Sequence, residues 1–275
     1  MTLNRIEHRA DVGGYHLAAR TEGDMKPSIV FESGLGWPMV TWDLVLPKLA
    51  RVGSTMVYDR AGTGQSDALP PELNRHPRTL GQTADELRRL LESLDSEGPH
   101  VLVGHSLGGL IALSFAALWP DAVAGLVLLD SLNPQDLLHD GYDRHDCEGH
   151  RGPQVDFIKS YAELESAEFP TVPSIVLSRA VGDWERQVDL AGSYTPRTLK
   201  EVDDEFQQNQ SALADRLSAL RVVANFAGHH VHVDQTDLAV ACIAAVAYSV
   251  HTGQAPAIPL ARLQFAGGYV ADPSR

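Results

Sequence analysis

The stretch Val101-Leu-Val-Gly-His-Ser-Leu-Gly-Gly-Leu110 joins a short apolar run to an apolar helical pattern through one glycine-flanked serine. The apolar run predicts a buried strand, and the pattern that follows it, ended by Trp119-Pro120, predicts a helix. Ser106 therefore lies on the bend between the two elements. Gly104 and Gly108 leave the room that a sharp strand-to-helix turn needs. Such a bend exposes the serine hydroxyl and directs the first free N–H groups of the helix toward whatever the serine attacks.

The composition of the chain limits the classes of protein to which it can belong. Its 275 residues, of which 44% are hydrophobic, suffice for one sizeable core. The net charge of -14, without a cluster of Lys and Arg, argues against nucleic-acid and membrane partners. We therefore expect a small-molecule substrate. The first residues contain no apolar signal core and no window is apolar enough to span a bilayer, which predicts a cytoplasmic protein. The composition does not indicate an oligomeric state.

Short apolar runs alternate with helical patterns along most of the chain. The pattern predicts strands at 15–20, 28–31, 55–58, 101–103, 124–129, 174–177 and 221–226, and helices at 42–49, 83–94, 107–118 and 238–250. Thr83 and Glu86 have the spacing of a capping box at the start of the second helix. This alternation predicts an α/β protein with a mostly parallel central sheet and helices on both faces. The polar stretch 131–170 shows no strand pattern and predicts a small lid, so that the core comprises 1–130 and 171–275.

Four segments, in this order, resemble those of the α/β-hydrolase superfamily. They are Ser33-Gly34-Leu35-Gly36 at the oxyanion loop, Tyr58 to Ser66 at a Gly-rich turn, Gly104 to Gly108 at the nucleophile elbow, and Gly228 to Asp234 at the histidine loop. The resemblance implies the α/β-hydrolase fold and a catalytic triad that needs no cofactor and no metal. Many members have His-Gly where this chain has Ser33-Gly34. Because the donor there is a backbone N–H, an oxyanion hole can still form.

The nucleophile and its base follow from chemistry and chain order. A serine hydroxyl is a weak nucleophile at neutral pH, so a base must take the proton of Ser106 as it attacks. Histidine suits that role because it titrates near neutral pH. His229 follows the last predicted strand and Gly228, and it comes after the serine in the chain. Its neighbour His230 is the rival, and the resemblance favours His229 because the base of the family directly follows the loop glycine.

Two aspartates qualify as the acid that orients the histidine. Asp130 closes the strand at 124–129, at the carboxyl end where sites of open parallel sheets form. Asp183 lies in the loop after the strand at 174–177, which is the commoner location in the superfamily. The usual Gly-x-x-Asp arrangement is absent there. We favour Asp130 and keep Asp183 as the alternative acid.

Backbone donors are expected to stabilise the negative oxygen of a tetrahedral intermediate. The N–H of Leu107 follows the nucleophile, and the N–H of Leu35 lies on the loop after the strand at 28–31, so we predict that they form the oxyanion hole. Asp59 and Arg60 resemble catalytic residues in type. We interpret them as structural hydrogen-bonding or ion-pairing groups of the Gly-rich turn.

Two groups of residues also fit metal sites. The segment His230-x-His232-x-Asp234 fits the opening of a metallo-hydrolase signature, but Gln235 follows where that signature needs another histidine. The segment His145-x-Cys147-x-x-His150 lies in the predicted lid, where a polar loop that contains histidines by chance is the simpler interpretation. We therefore predict that the protein has no metal site.

Together these features predict a serine hydrolase that opens an ester, lactone, thioester or amide bond of a small apolar substrate. The acyl-enzyme would form on Ser106. Trp37 is a candidate for contact with the substrate, and Met39 and Trp184 are candidates for the same apolar pocket. A non-hydrolytic protein of the same fold, such as a lyase, a cofactor-free oxygenase or a ligand receptor, is the alternative because fold does not determine chemistry.

Overall fold

The computed structural model describes residues 4–138, 145–147, 151–187 and 196–271. The strands are β1 (Arg5–Asp11), β2 (His16–Glu22), β3 (Ser28–Glu32), β4 (Ser54–Tyr58), β5 (His100–His105), β6 (Val123–Leu129), β7 (His145–Cys147), β8 (Gln154–Asp156), β9 (Ser174–Ser178), β10 (Leu220–Ala224) and β11 (Gly268–Val270). The helices are α1 (Leu80–Ser93), α2 (Leu107–Leu118), α3 (Phe157–Glu165), α4 (Leu199–Arg216), α5 (Val231–Asp234), α6 (Thr236–Thr252) and α7 (Leu260–Phe265).

One nine-stranded sheet organises the described part of the chain, in the order β1-β2-β4-β3-β5-β6-β9-β10-β11. The strands from β4 to β10 in that order pair in parallel. The outer strands β1, β2 and β11 pair antiparallel. The strands β3, β5 and β9 are buried along their whole length, as continuous apolar runs predict. The predicted mostly parallel sheet is confirmed.

Helices cover both faces of this sheet. On one face, α1 and α2 contribute Leu87, Leu110 and Phe115 to a buried cluster. On the opposite face, α6 contributes Ile243 and Val246 to a second cluster. Among the described helices, α6 included, none is both long enough and apolar enough to cross a membrane. Because both faces are covered, the carboxyl edge of the parallel strands is where loops are free to form a site.

Helix α1 begins earlier than its predicted capping box. Thr79 is the N-cap residue, and its side chain and that of Gln82 each accept a hydrogen bond from the other's backbone N–H. Glu86 is buried instead of capping the helix, and it accepts a hydrogen bond of 3.0 Å from Arg78. The predicted box of Thr83 and Glu86 is wrong because an equivalent pattern lies four residues before it and because the carboxylate forms a buried ion pair.

The stretch 42–49 is not one interrupted helix. It contains the end of one 3₁₀ turn, Met39–Trp42, and the whole of another, Leu46–Leu49, and residues 43–45 separate the two. Pro47 has no backbone N–H and cannot continue a preceding helix, so it stands in the first turn of the second piece. The proline that we expected to interrupt a helix therefore lies near the start of the second turn, and the break comes before it, at residues 43–45.

The segment 131–170 contains more regular structure than its polar sequence indicates. It contains a 3₁₀ turn (Pro134–Leu138), the antiparallel pair of β7 and β8, and α3. The two short strands correct the expectation that this segment has none. Phe157 and Leu164 of α3 are buried in the cluster that also contains α1 and α2. Residues 139–144 and 148–150 lie outside the described part, and the function of the segment as a lid stays a prediction.

Helix α4 lacks a counterpart among the predicted elements. A capping box of Thr198 and Glu201 begins it. It packs against β9 and β10 through a face that includes the buried residues Phe206 and Leu213. This helix brings side chains of its own up to the carboxyl edge of the sheet.

Candidate active site

Ser106 lies on a tight bend between β5 and α2. Its backbone has φ 54° and ψ -123°, a combination that residues with a side chain rarely adopt. A Cβ at Gly104 would lie 2.5 Å from the carbonyl oxygen of Gly108, and a Cβ at Gly108 would collide with the carbonyl oxygen of Glu32. Both positions therefore require glycine, because the backbone segments approach each other too closely for any side chain. The bend places the Ser106 side chain at the carboxyl edge of the sheet.

His229 connects Ser106 to an acid. It follows β10, and its Nε2 lies 3.0 Å from Ser106 Oγ. Its Nδ1 lies 2.7 Å from Asp130 Oδ2. If Nδ1–H donates to the carboxylate, the lone pair of Nε2 is left to accept the hydrogen of the serine hydroxyl. The arrangement thus has the geometry for proton transfer from Ser106 to His229.

The structure brings Asp130, and not Asp183, to His229. Asp130 lies at the end of β6 with its side chain fully buried and with φ 45°. Asp183 hydrogen-bonds to the side chains of Gln187, at 2.9 Å, and Arg186, at 3.2 Å. Of the two aspartates considered from the sequence, Asp130 is therefore the one placed to orient the imidazole.

A buried arginine also contacts Asp130. The Nη2 atom of Arg179 lies 2.6 Å from Asp130 Oδ2, and the Arg179 backbone N–H donates a hydrogen bond of 2.8 Å to Oδ1. Burial alone would raise the pKa of Asp130, but the charge of Arg179 and the hydrogen bond from His229 outweigh it, so that this pKa lies below its ordinary value. Asp130 is therefore ionised at neutral pH. Sequence analysis missed Arg179, although its place directly after β9 puts it at the carboxyl edge.

Two further buried imidazoles support the loop that bears His229. His105 Nε2 forms a hydrogen bond of 2.8 Å with the backbone carbonyl of His229, and His232 Nε2 forms one of 2.9 Å with Thr41 Oγ1. Burial and the neighbouring imidazoles lower the pKa of His105 well below its ordinary value. Burial also lowers the pKa of His232 to about 3. Both rings are therefore neutral at neutral pH, and they act here as hydrogen-bonding groups.

The three residues proposed from the sequence for an apolar pocket have different surroundings. Trp37 is half exposed, and its ring lies 4.8 Å from that of His230, the rival base. Met39 is buried in the core cluster on one face of the sheet. Trp184 packs on the guanidinium of Arg179 at 5.0 Å. Trp37 thus offers a ring face near the site, whereas Met39 and Trp184 are used for packing.

The predicted oxyanion loop passes directly over the serine. A Cβ at Gly34 would lie 3.5 Å from Ser106 Cβ. Leu35 lies in the turn that Trp37 N–H closes onto the Gly34 carbonyl at 3.2 Å. Leu107 is the first residue of α2, so its N–H has no acceptor within the helix. The two predicted donors are therefore on the segments that flank Ser106.

The adjacent Gly-rich turn holds this loop in place. Arg60 donates hydrogen bonds of 2.7 Å to the carbonyl oxygens of Ser33 and Gly34. It also lies 3.2 Å from the buried carboxylate of Glu32. Asp59 accepts a hydrogen bond of 2.7 Å from the N–H of Met39. Asp59 and Arg60 thus each hydrogen-bond to segments near Ser106. This agrees with the prediction that both residues have a structural role.

The segment that resembles the opening of a metal signature is helical. His232 and Asp234 lie in α5, where Asp234 accepts a hydrogen bond of 3.0 Å from Gly228 N–H. Among the residues that the structure describes, no group of three or more His, Cys, Asp or Glu is arranged to hold a metal ion. The side chains of the second candidate, His145-x-Cys147-x-x-His150, lie outside the described residues.

The chain is similar to some known proteins in sequence and to others in fold. The chain is 39% identical over 105 residues to "Putative carbamate hydrolase RutD" of Pseudomonas syringae, a match that covers 38% of this chain and 39% of that protein. It spans about two fifths of the length of the RutD relatives that it matches. An esterase of Thermogutta terrifontis superposes with a TM-score of 0.59 at 20% identity, covering 90% of this chain and 100% of that one.

A second solved structure with the same fold bears the name of a different enzyme. The haloalkane dehalogenase DbeA of Bradyrhizobium elkani superposes with a TM-score of 0.61 at 16% identity, covering 91% of this chain and 100% of that one. At these identities the two structures show the fold alone. The family model described as the alpha/beta hydrolase fold matches residues 27–187, which is more than half of the chain. The chain therefore belongs to the alpha/beta hydrolase fold family.

Proposed function

We propose that this protein is a serine hydrolase that opens an ester, lactone, thioester or amide bond of a small apolar substrate. The observation that carries the proposal is the pair of hydrogen bonds of His229, 3.0 Å to Ser106 Oγ and 2.7 Å to Asp130 Oδ2. A hydroxyl, an imidazole and a buried carboxylate in this order form the arrangement that activates a serine for attack on an acyl carbon.

The first half-reaction forms an acyl-enzyme. As Ser106 Oγ attacks the carbonyl carbon, His229 Nε2 takes its proton, and the carbonyl electrons move to the oxygen. Asp130 stabilises the imidazolium that results. The tetrahedral intermediate collapses, the bond to the leaving group breaks, and His229 gives its proton to the leaving oxygen, sulfur or nitrogen.

The second half-reaction returns the enzyme to its starting state. His229 takes a proton from water as the water oxygen attacks the acyl carbon, and it then returns that proton to Ser106 as the acid departs. In both halves the N–H groups of Leu35 and Leu107 are assigned to the negative oxygen, where each such donor supplies about 3 kcal/mol or more. Trp37 would contact the apolar part of the substrate.

The proteins that resemble this chain bear the names of enzymes for more than one kind of bond. An esterase and a haloalkane dehalogenase have the fold of this chain, and the fold does not determine the chemistry. The RutD relatives bear the name of a carbamate hydrolase. A carbamate presents the same acyl carbon to a serine, so a carbamate belongs in the set of trial substrates.

The test combines covalent labelling with turnover. A fluorophosphonate should label Ser106, as mass spectrometry of the peptide identifies, and a p-nitrophenyl ester should be hydrolysed. Ser106→Ala should abolish both while the protein stays folded. Ser114→Ala is the matched control, because that buried hydroxyl of α2 only donates to the carbonyl of Leu110. Trial substrates that vary in acyl length, lactone ring size and leaving group then identify the bond.

Three outcomes would overturn the proposal. Retention of more than a trace of turnover by Ser106→Ala would remove the serine from the reaction. Tight binding of a small ligand, with neither labelling nor turnover of any trial substrate, would instead favour a non-hydrolytic receptor. Turnover that releases no hydrolysed acid would favour a lyase or an oxygenase of the same fold.

A further inference from the structure

We infer that Arg179 is a positioning residue that shares one oxygen of Asp130 with His229 and thereby sets the pH range in which His229 can act as a base. The inference rests on the proposed function, because it assigns a role within the same site. A triad of serine, histidine and aspartate contains no cation. In this protein a buried guanidinium contacts the acid.

Two aromatic rings pack against the guanidinium of Arg179. Only 4% of the residue is exposed, and its guanidinium carbon lies 4.3 Å from the ring centre of Phe206 and 5.0 Å from that of Trp184. Asp203 of α4 accepts hydrogen bonds from the backbone N–H groups of Gly182, at 2.8 Å, and Trp184, at 3.3 Å. Helix α4 thus packs on the guanidinium and also anchors the loop that follows it, which leaves the side chain little freedom to move away from the site.

Two donors converge on the same carboxylate oxygen. Arg179 Nη2 lies 2.6 Å and His229 Nδ1 lies 2.7 Å from Asp130 Oδ2. The two nitrogens are only 3.1 Å from each other. Since an arginine always carries its proton, the negative charge of Asp130 is partly compensated before His229 becomes protonated. The imidazolium therefore gains less from Asp130 and also meets a positive charge at close range.

The other titratable groups around His229 do not reproduce this effect. The groups that face its loop from the packed elements are Asp130, Arg179, His105, His230, His232, Asp183 and Asp234. Burial lowers the pKa values of His105, His230 and His232, so these rings are neutral at neutral pH. Within the described residues of this group, Arg179 alone carries a permanent positive charge. Its removal should therefore make protonation of His229 easier.

The experiment measures kcat/KM of a p-nitrophenyl ester against pH for the wild type, Arg179→Met and Arg179→Lys. The acid limb of the profile marks the pH below which the base is protonated. It should move to higher pH by about one unit in Arg179→Met, which removes a neighbouring charge. Arg179→Lys keeps the charge and should move the limb by less than half as much. As a control, His230→Asn should leave the limb at its wild-type position.

A merely structural arginine would give a different result. Loss of packing around Phe206 would lower the plateau of kcat/KM at high pH without moving the acid limb. An acid limb that stays at the wild-type pH in Arg179→Met would therefore overturn the inference, as would a limb that moves in His230→Asn.

A second measurement uses the unaltered protein, in case Arg179→Met does not fold. In a ¹⁵N-arginine sample, one guanidinium N–H signal should shift with the same midpoint as the acid limb, because Arg179 contacts the titrating ring. Spectra in which no arginine signal follows that midpoint would contradict the inference. Absence of labelling at Ser106 in the wild type would overturn the proposed function and this inference with it. A labelled and active protein whose limb is unmoved in Arg179→Met would overturn only the role of Arg179.

Discussion

Arg60 Nη2 donates a hydrogen bond of 2.7 Å to the carbonyl oxygen of Gly34, the residue that passes over Ser106. The other terminal nitrogen donates to the carbonyl oxygen of Ser33, also at 2.7 Å. The hydroxyl of Ser33 in turn accepts a hydrogen bond of 3.0 Å from the indole of Trp42. The loop with Ser33-Gly34 is therefore held by a guanidinium and an indole.

We expect Arg60→Met to lower kcat/KM by about 10- to 100-fold, because a loop that is free to shift no longer presents the N–H of Leu35 to the developing oxyanion. The loss should fall on kcat more than on KM, since the donor acts in the transition state. The same change should lower the free energy of unfolding by about 3–5 kcal/mol, because the fully buried Glu32 loses its cation. Steady-state kinetics and urea unfolding measure the two effects.

A second substitution can separate the effect of Arg60→Met on kcat from its effect on the free energy of unfolding. Glu32→Gln combined with Arg60→Met removes the buried negative charge along with its partner, so it should recover much of the lost stability. It should not recover kcat, because the carbonyl oxygens of Ser33 and Gly34 still lack their donor. Recovery of kcat together with stability would show that Arg60 acts on the fold alone.

Asp130→Asn and Asp183→Asn provide a matched pair for the acid. We expect Asp130→Asn to lower kcat by about 10⁴-fold, because an amide in place of the carboxylate no longer holds the imidazole of His229 in the required tautomer. Asp183→Asn should lower kcat less than 10-fold, since Asp183 binds Gln187 and Arg186. The assay is ester hydrolysis by the two folded variants side by side. A crippling loss in Asp183→Asn with an active Asp130→Asn would reverse the assignment.

Much of the fold was predictable because its signals are local. The central strands are continuous apolar runs that end at turn residues, which is how strands buried on both faces of a parallel sheet appear. The glycines around Ser106 record a close approach of backbone segments that any side chain would block. Asp130 was favoured over Asp183 because of its place at the end of such a strand. Each of these signals is visible within a few residues of sequence, although the contacts that they serve include distant segments.

Arg179 could not be predicted because its burial depends on a distant element. An arginine that follows a strand is typical of a solvated loop, but here Phe206 from α4 and Trp184 pack against its guanidinium. Helix α4 was itself missed, because its buried positions are spaced among many polar residues. The Thr198-x-x-Glu201 capping box was the signal that could have revealed it. Contacts between remote segments thus determine the electrostatics of the site.

Backbone strain at Ser106 predicts that glycine is more stable than alanine at this position, which is the reverse of the usual order in a helix. Ser106 has φ 54°, where a Cβ is unfavourable by about 1–3 kcal/mol. Ser106→Gly should therefore be more stable than Ser106→Ala by about 1 kcal/mol, after the greater chain entropy of glycine in the unfolded state is subtracted. Urea unfolding of the two inactive variants measures the difference. Ser114, within helix α2, is the matched control, and there Ser114→Gly should be less stable than Ser114→Ala by about 1 kcal/mol. The same order at both positions would mean that Ser106 is unstrained.

The buried His232 should make stability fall as the solution is acidified. Its pKa is about 3 in the folded protein against 6.5 for the ordinary side chain, so between these values the unfolded chain binds a proton that the folded protein excludes. Stability from this residue is therefore complete above pH 6.5 and is lost as the pH falls below it, by up to about 1.4 kcal/mol per pH unit. Urea unfolding between pH 7.5 and about 5 should show a shallower pH dependence in His232→Gln than in the wild type. His251→Gln makes the same change at an exposed position and should leave the slope unaltered. Equal slopes in the wild type and His232→Gln would show that His232 is not held neutral in the folded protein.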